Sequence, residues 1–231
     1  NAGANSLFGL SGADTLDGGT GADTMRGGGG NDSINGSATG NDILRGDFGG
    51  GTGPGAAGDD EILGGGGNDS LYGEAGNDYL GGELGNDRLY GDTGNDSLDG
   101  GNGGDAIYGE AGDDLLWGQA GTDMLSGGAG NDTLLGGDGI DNLWGEAGND
   151  EITGGAGVDN FMFRAGFGRD ILLDRVAGEI LDVRGFGANY ADIVFTAGAQ
   201  GLEISSAKFG SGNVIVLANV TGTLDAAQFL F

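Results

Sequence analysis

The chain has 231 residues, including 59 Gly and 1 Pro but no Cys and no His, and carries a net charge of −28. Without Cys there are no disulfides, thiolate nucleophiles or Cys-built zinc sites; without His there is no Ser-His-Asp triad and no imidazole-held metal. Such an excess of acid excludes a nucleic-acid face, and no apolar run approaches the ~18 residues of a membrane helix.

The charge is unevenly placed. Residues 1–162 hold 29 acids and 3 bases, a net −26, whereas 163–231 hold 7 acids and 5 bases, a net −2. Self-repulsion on that scale opposes a compact state unless cations are bound. The glycines do not follow the period of three that collagen needs; they recur every nine residues, which indicates a repeat architecture.

In chain order, residues 3–8 fit the second half of a repeat unit, as in a segment of a longer protein, with Asn5 where an Asp is expected. Full units start at Gly9, Gly18, Gly27 and Gly36, the last of these being ten residues long. Residues 46–54 keep the length and lose the pattern: Gly51 replaces the Asp, Gly53 the aliphatic residue, and Pro54 cannot donate to a sheet ladder. A bulge or loop is expected there. The unit at Gly55 restores order, and residues 64–162 then divide into 11 units reading G-x-x-G-x-D-x-U-x, where U is Leu or Ile, or Phe161 in the last.

Within a unit, Gly at positions one and four favours a turn, and positions seven to nine alternate outward, inward, outward as a short strand. Strands of three residues are not stable alone. Stacked on alternate sides they make two parallel sheets around one inward column: Leu16, Met25, Ile34, Leu44, Ile62, Leu71, Leu80, Leu89, Leu98, Ile107, Leu116, Leu125, Leu134, Leu143, Ile152 and Phe161. One apolar side chain per nine residues is too little burial to offset the entropy of ordering them.

A second column supplies what the core lacks: Asp14, Asp23, Asp32, Asp42, Asp60, Asp69, Asp78, Asp87, Asp96, Asp105, Asp114, Asp123, Asp132, Asp141, Asp150 and Asp159. With alternating sides, an Asp recurs in the same turn every 18 residues, about 4.8 Å along the sheet. Carboxylates that close repel one another unless a hard cation taking 6–8 oxygens sits between them. Glycine-rich turns complete such a shell with carbonyls. Magnesium demands a stricter octahedron and keeps its waters, so the pattern points to Ca²⁺, in roughly 10–15 copies. Sites next to 46–54 are expected to be weak.

GGGGNDSLYG at 64–73, GGAGNDTLLG at 127–136 and GGAGVDNFMF at 154–163 resemble the RTX, or haemolysin-type, calcium-binding nonapeptide. The resemblance implies an all-β fold: a parallel β-roll, or calcium-stacked β-solenoid, over 1–162, with a β-rich cap over 163–231. It implies that one turn offers the carbonyls of positions two and four with its Asp, and the turn 18 residues later those of positions one and three with its own. One such site is Gly65, Gly67 and Asp69 with Gly82, Leu84 and Asp87. Along the array the implied backbone donors are Glu74 and Gly76; Glu83 and Gly85; Gly91, Asp92, Thr93 and Gly94; Gly100, Gly101, Asn102 and Gly103; and Gly109, Glu110, Ala111 and Gly112. They continue through Gly118, Gln119, Ala120 and Gly121; Gly127, Gly128, Ala129 and Gly130; Gly136, Gly137, Asp138 and Gly139; and Gly145, Ala147, Gly154 and Ala156.

After Met162, residues 165–172 read as a divergent turn displaced by two residues, followed by β-type runs at 179–183, 192–196, 202–205 and 214–218. This layout is similar to the segment following the repeats in RTX proteins exported by type I systems, where it caps the roll and carries the secretion signal. The implied setting is secreted and extracellular, in a bacterium, with the type I machinery as partner. On one outer face, Tyr72, Tyr90, Tyr108, Ser126, Trp144 and Met162 recur at position nine. They read first as a cross-strand stack, or a face covered by the C-terminal segment, and second as a cell-surface or polysaccharide ligand site. No catalytic residues are expected in this chain. An adhesion module, and the tail of a secreted protease, lipase or alginate epimerase, are the alternatives to a folding and export module.

Overall fold

A computed structural model describes residues 2–37, 39–47, 57–174, 179–184, 194–197, 202–206, 209, 211–218 and 229–230. It is an all-β solenoid in which consecutive strands, as far as Ile180–Asp182, go to opposite sheets. One sheet takes Ser6–Ser11, Thr24–Gly29, Ile43–Asp47, Ser70–Ala75, Arg88–Thr93 and every second strand as far as Ile180–Asp182, followed by Phe229–Leu230. The other takes Thr15–Asp17, Ser33–Asn35, Glu61–Gly66, Tyr79–Leu84, Ser97–Asp99 and their successors. Parallel strands need a crossover, and in the regular block each crossover is a glycine turn leading to the opposite sheet.

Many strands are longer than the three residues the pattern predicts. Ser70–Ala75, Arg88–Thr93 and Ala106–Ala111 each have 6 residues and run into position three of the next unit. Identical backbone shapes stacked in parallel pair wherever their groups face one another, so part of each turn joins the ladder. In the regular block the register advances by 18: Leu71 lies opposite Leu89, and Leu89 opposite Ile107. The inward column fills the space between the sheets, and from Leu71 to Leu143 no member is more than 1% exposed.

The damaged unit changes the count. Ile43 lies opposite Ser70 and Ser33 opposite Glu61, offsets of 27 and 28. Nine extra residues therefore take no place in the alternation, and the unit at Gly55 stacks on that at Gly27, not on the side a count of all units gives it. The bulge expected at 46–54 falls mostly on 48–56, outside the described residues.

Beyond Met162 the register widens to 20, with Glu151 opposite Ile171 and Asn160 opposite Ile180. Val214–Leu217 joins Arg169–Leu172 in parallel, and Leu202–Ser205 and Val194–Ala197 then add antiparallel strands. Phe163, Phe167 and Phe209, with ring centroids 5.1 and 5.8 Å apart in sequence, fill the end of the core. Asp174 accepts the N–H groups of Gly154 and Gly155 at 2.9 and 2.8 Å, which satisfies a turn that has no successor of its own kind.

On the outer face Tyr72, Tyr90 and Tyr108 stack with centroids 5.0 Å apart at each step. Arg45 lies 3.9 Å over the Tyr72 ring and 2.8 Å from Glu74. These contacts are the cross-strand stack of the first reading.

Candidate metal centre

The turns build two ladders of side chains. In the inner one, each Asp from Asp32 onward accepts through Oδ1 the backbone N–H of the Asp one full turn earlier: Asp69 to Asp87 at 2.7 Å, Asp78 to Asp96 at 2.8 Å, Asp87 to Asp105 at 2.8 Å. The chain of such bonds is unbroken from Asp14 to Asp159 on both sides and crosses the damaged unit, where Asp32 donates to Asp60 and Asp42 to Asp69. At the start Asn5 takes the place of an Asp and donates to Asp23. In the outer ladder, position five runs the other way: Asn77 Oδ1 accepts from Asn95, Asn95 from Asp113, Asp113 from Asn131 and Asn131 from Asn149. The nine-residue pattern alone does not show this ladder, which needs the register.

From Asp23 to Asp159 every Asp of the column is at most 4% exposed; Asp14, at the end, is half-buried. Their second oxygen, Oδ2, is buried and accepts nothing, at all 16 positions. Leaving a buried charged oxygen unmatched is costly, so the carboxylates answer by resisting ionisation. Burial raises Asp60 and Asp69 to about 6, Asp87, Asp96, Asp123 and Asp132 to about 7, and Asp78 to about 8, with neighbouring carboxylates of the column adding to it.

The backbone shows what these oxygens face. A Cβ placed on Gly64 would lie 2.7 Å from Asp69 Oδ2 and 2.9 Å from the carbonyl oxygen of Gly82, so both oxygens converge on the interval between two same-side turns. A Cβ on Gly85 would overlap the Gly67 carbonyl oxygen, and one on Gly101 the Glu83 carbonyl oxygen; carbonyls of positions four and two thus point onward to the next turn. The position-three carbonyl points back, accepting the Gly85 N–H at Asn102 and the Gly94 N–H at Ala111, both at 2.9 Å. Among the described residues no group of three or more acidic side chains is placed to hold a metal ion alone, and the carbonyls at these turns add backbone oxygens to each interval. An oxygen-rich, Gly-lined gap of this kind suits a hard cation of high coordination number.

The acids at position two turn their side chains away from the intervals. Glu74, Glu83, Asp92, Glu110 and Glu146 have φ between 70° and 76°, left-handed backbone that non-Gly residues seldom adopt. Glu74 meets Arg45, and Glu146 accepts from Ser126 Oγ. Leu84 and Thr93 are exposed at position three, as are Ala111, Ala129 and Ala147.

Two buried acids in contact with the column, Asp170 and Asp47, are absent from the sequence pattern. Asp170 is 0% exposed, its Oδ1 accepts the Asp150 N–H at 3.3 Å, and its Oδ2 accepts nothing. Burial and the Asp150 charge push it up to about 9. It continues the column one turn further, 20 residues on. The signal was present in Gly168-Arg169-Asp170-Ile171-Leu172, which reads as positions four to eight. Asp47, at position two of the damaged unit, is buried and raised to about 7, chiefly by burial and then by Asp60; its Oδ2 accepts from Gly58 at 3.2 Å.

A family model described as the RTX calcium-binding nonapeptide repeat (4 copies) matches this chain in overlapping copies over residues 1–52 and 54–172. The chain belongs to that family. Its RTX repeats bind Ca²⁺ at multiple positions along the roll. A comparison with curated proteins finds no match. Among solved structures, the extracellular lipase LipA from Serratia marcescens is similar at 20% identity and a TM-score of 0.30, over 96% of this chain and 40% of the lipase. The RTX chain thus spans less than half the length of that protein. Among the described residues no helix is long and apolar enough to cross a membrane.

Proposed function

We propose that this RTX chain is a folding module whose turns close only around calcium, and that it serves the export and stabilisation of a larger extracellular protein. The observation that carries the reading is the unbroken column of buried aspartates from Asp23 to Asp159, each with one oxygen held by the chain and one held by nothing in it. In the proposed site, Asp69 and the carbonyls of Gly65 and Gly67 face Asp87 and the carbonyls of Gly82 and Leu84. The same set repeats in each interval of both columns. When bound, calcium supplies the positive charge that lets these carboxylates ionise while buried. The chain's own part is to fix the distance between turns through the Asp and Asn ladders and to exclude water with the inward column.

Without the cation, glycine entropy and charge repulsion favour an unfolded, threadable chain. At high external calcium, binding free energy becomes folding free energy. Each interior turn borders two intervals, so folding is steep in calcium. The repeats take no catalytic part in this reading, and residues after the roll carry the type I export signal; both follow from the family's usual setting in secreted bacterial proteins. Trp117 and Trp144 report on the transition. Far-UV circular dichroism and tryptophan emission, followed while calcium is added to chelator-treated chain, test it: the expected result is one steep rise in β-signal, and full order in chelator overturns the reading. For export, a host with a type I system must lose secretion of the chain when 163–231 is removed.

A further inference from the structure

A continuous stack of rings uses its faces on itself. Tyr72 is covered by Arg45 on one side and Tyr90 on the other, and Tyr90 lies between Tyr72 and Tyr108. The next rung is Ser126, opposite both Tyr108 and Trp144 in the sheet register, so the row breaks there and leaves a gap between two aromatic side chains. Ser126 points outward yet is only 8% exposed, because it lies at the bottom of that gap. A cavity of about 470 Å³ opens here, lined by Tyr108, Met124, Ser126, Trp144, Glu146 and Arg164.

The dimensions set the size of the guest, and the rim of the gap its chemistry. Rings in the stack repeat at 5.0 Å, so side chains two rungs apart are separated by about 10 Å. The ring of Tyr90 fills the same interval between Tyr72 and Tyr108, so the gap at Ser126 admits one ring in contact with both walls. A pyranose ring is of that size. Its C–H faces suit aromatic faces, and its hydroxyl rim meets the Glu146 carboxylate, which Ser126 Oγ already holds at 2.5 Å, and the exposed Arg164 guanidinium. The position-two acids of this face, Asp92, Glu110 and Glu146, repel an anionic sugar. We propose that the gap between Tyr108 and Trp144 binds one neutral pyranose unit of a saccharide.

The test uses the calcium-loaded chain carrying Trp117→Phe, so that Trp144 alone reports, titrated with maltohexaose, cellohexaose and oligogalacturonate. A saturable change in emission with at least one neutral hexaose is expected. Ser126→Tyr, which completes the ring row without disturbing a strand, is expected to weaken that binding by about tenfold or more while the calcium-induced circular dichroism is kept. Tyr72→Ala, at the far end of the stack, leaves the affinity unchanged. Absence of binding to both neutral hexaoses, binding of the galacturonate alone, or undiminished binding by the Ser126→Tyr chain overturns the proposal.

Discussion

The backbone N–H of Asp69 donates to Asp87 Oδ1 at 2.7 Å, while Asp87 Oδ2, equally buried, accepts nothing. One carboxylate thus belongs half to the polypeptide and half to something the polypeptide does not supply. An unsatisfied buried polar group costs roughly 1–3 kcal/mol, more when charged. One such oxygen would be a local defect, but the same oxygen in every turn marks a fold built around a ligand. In the proposed site that ligand is the calcium which the RTX repeats bind.

Asp96→Asn separates the two halves. The amide oxygen still accepts the Asp78 N–H, but the second atom becomes a donor and no longer ligates a cation. In calcium the variant is expected to melt lower by the equivalent of about 1–3 kcal/mol and to need more calcium to fold. The same exchange at Asp14, half-buried in the first turn, should do much less. Thermal melts at fixed calcium compare the two, and equal losses would mean that interior turns gain nothing from their neighbours.

Gly85→Ala tests the close approach of turns. Its φ is +140°, and a Cβ there overlaps the Gly67 carbonyl oxygen, which must otherwise point freely into the interval. Backbone has to move, and the expected loss is about 2–4 kcal/mol. Gly104→Ala is the control: its nearest atom to a new Cβ is the Thr122 carbonyl oxygen at 3.3 Å, so the loss stays under about 1 kcal/mol. Urea unfolding in saturating calcium measures both.

The parts of this fold legible in the sequence are those fixed by one residue in nine. Leu71, Asp69 and Gly67 each meet a constraint that repeats with every turn, so the inward column, the acidic column and the two sheets follow from periodicity. What escaped depends on register. A damaged nonapeptide does not announce whether it consumes a side of the roll, and only the pairing of Ile43 with Ser70 decides it. The Asn77–Asn95–Asp113 ladder needs two stacked turns to exist at all. Asp170 was hidden by a shift of two residues, which breaks a count of nine without breaking the column.

Deletion of residues 46–54 follows from the same register. It reduces the Ile43 to Ser70 offset from 27 to 18, the spacing of the regular block, and Ser33 to Glu61 from 28 to 19. An offset of 19 already occurs between Asp23 and Asp42. The shortened chain should fold with calcium and be as stable as the parent or slightly more so, since closing a longer connection costs on the order of 0.5 kcal/mol. Loss of calcium-induced folding would show that these nine residues hold the first turns to the rest.

The raised carboxylates give a pH dependence that reverses with calcium. In the metal-free chain burial lifts Asp78 to about 8 and Asp96 and Asp132 to about 7, against about 3.9 for an unfolded Asp. A folded-state value above the unfolded one means that the folded form holds protons the unfolded form releases. Its stabilising contribution is therefore complete below pH ~4 and lost as pH rises through ~7–8. In chelator, acidification should add β-structure. In calcium the carboxylates must be deprotonated to ligate, so the calcium midpoint should rise as pH falls from ~7 to ~5. Circular dichroism across this range, with and without calcium, is expected to give slopes of opposite sign. Slopes of the same sign would mean that the aspartate column is not where calcium and protons compete.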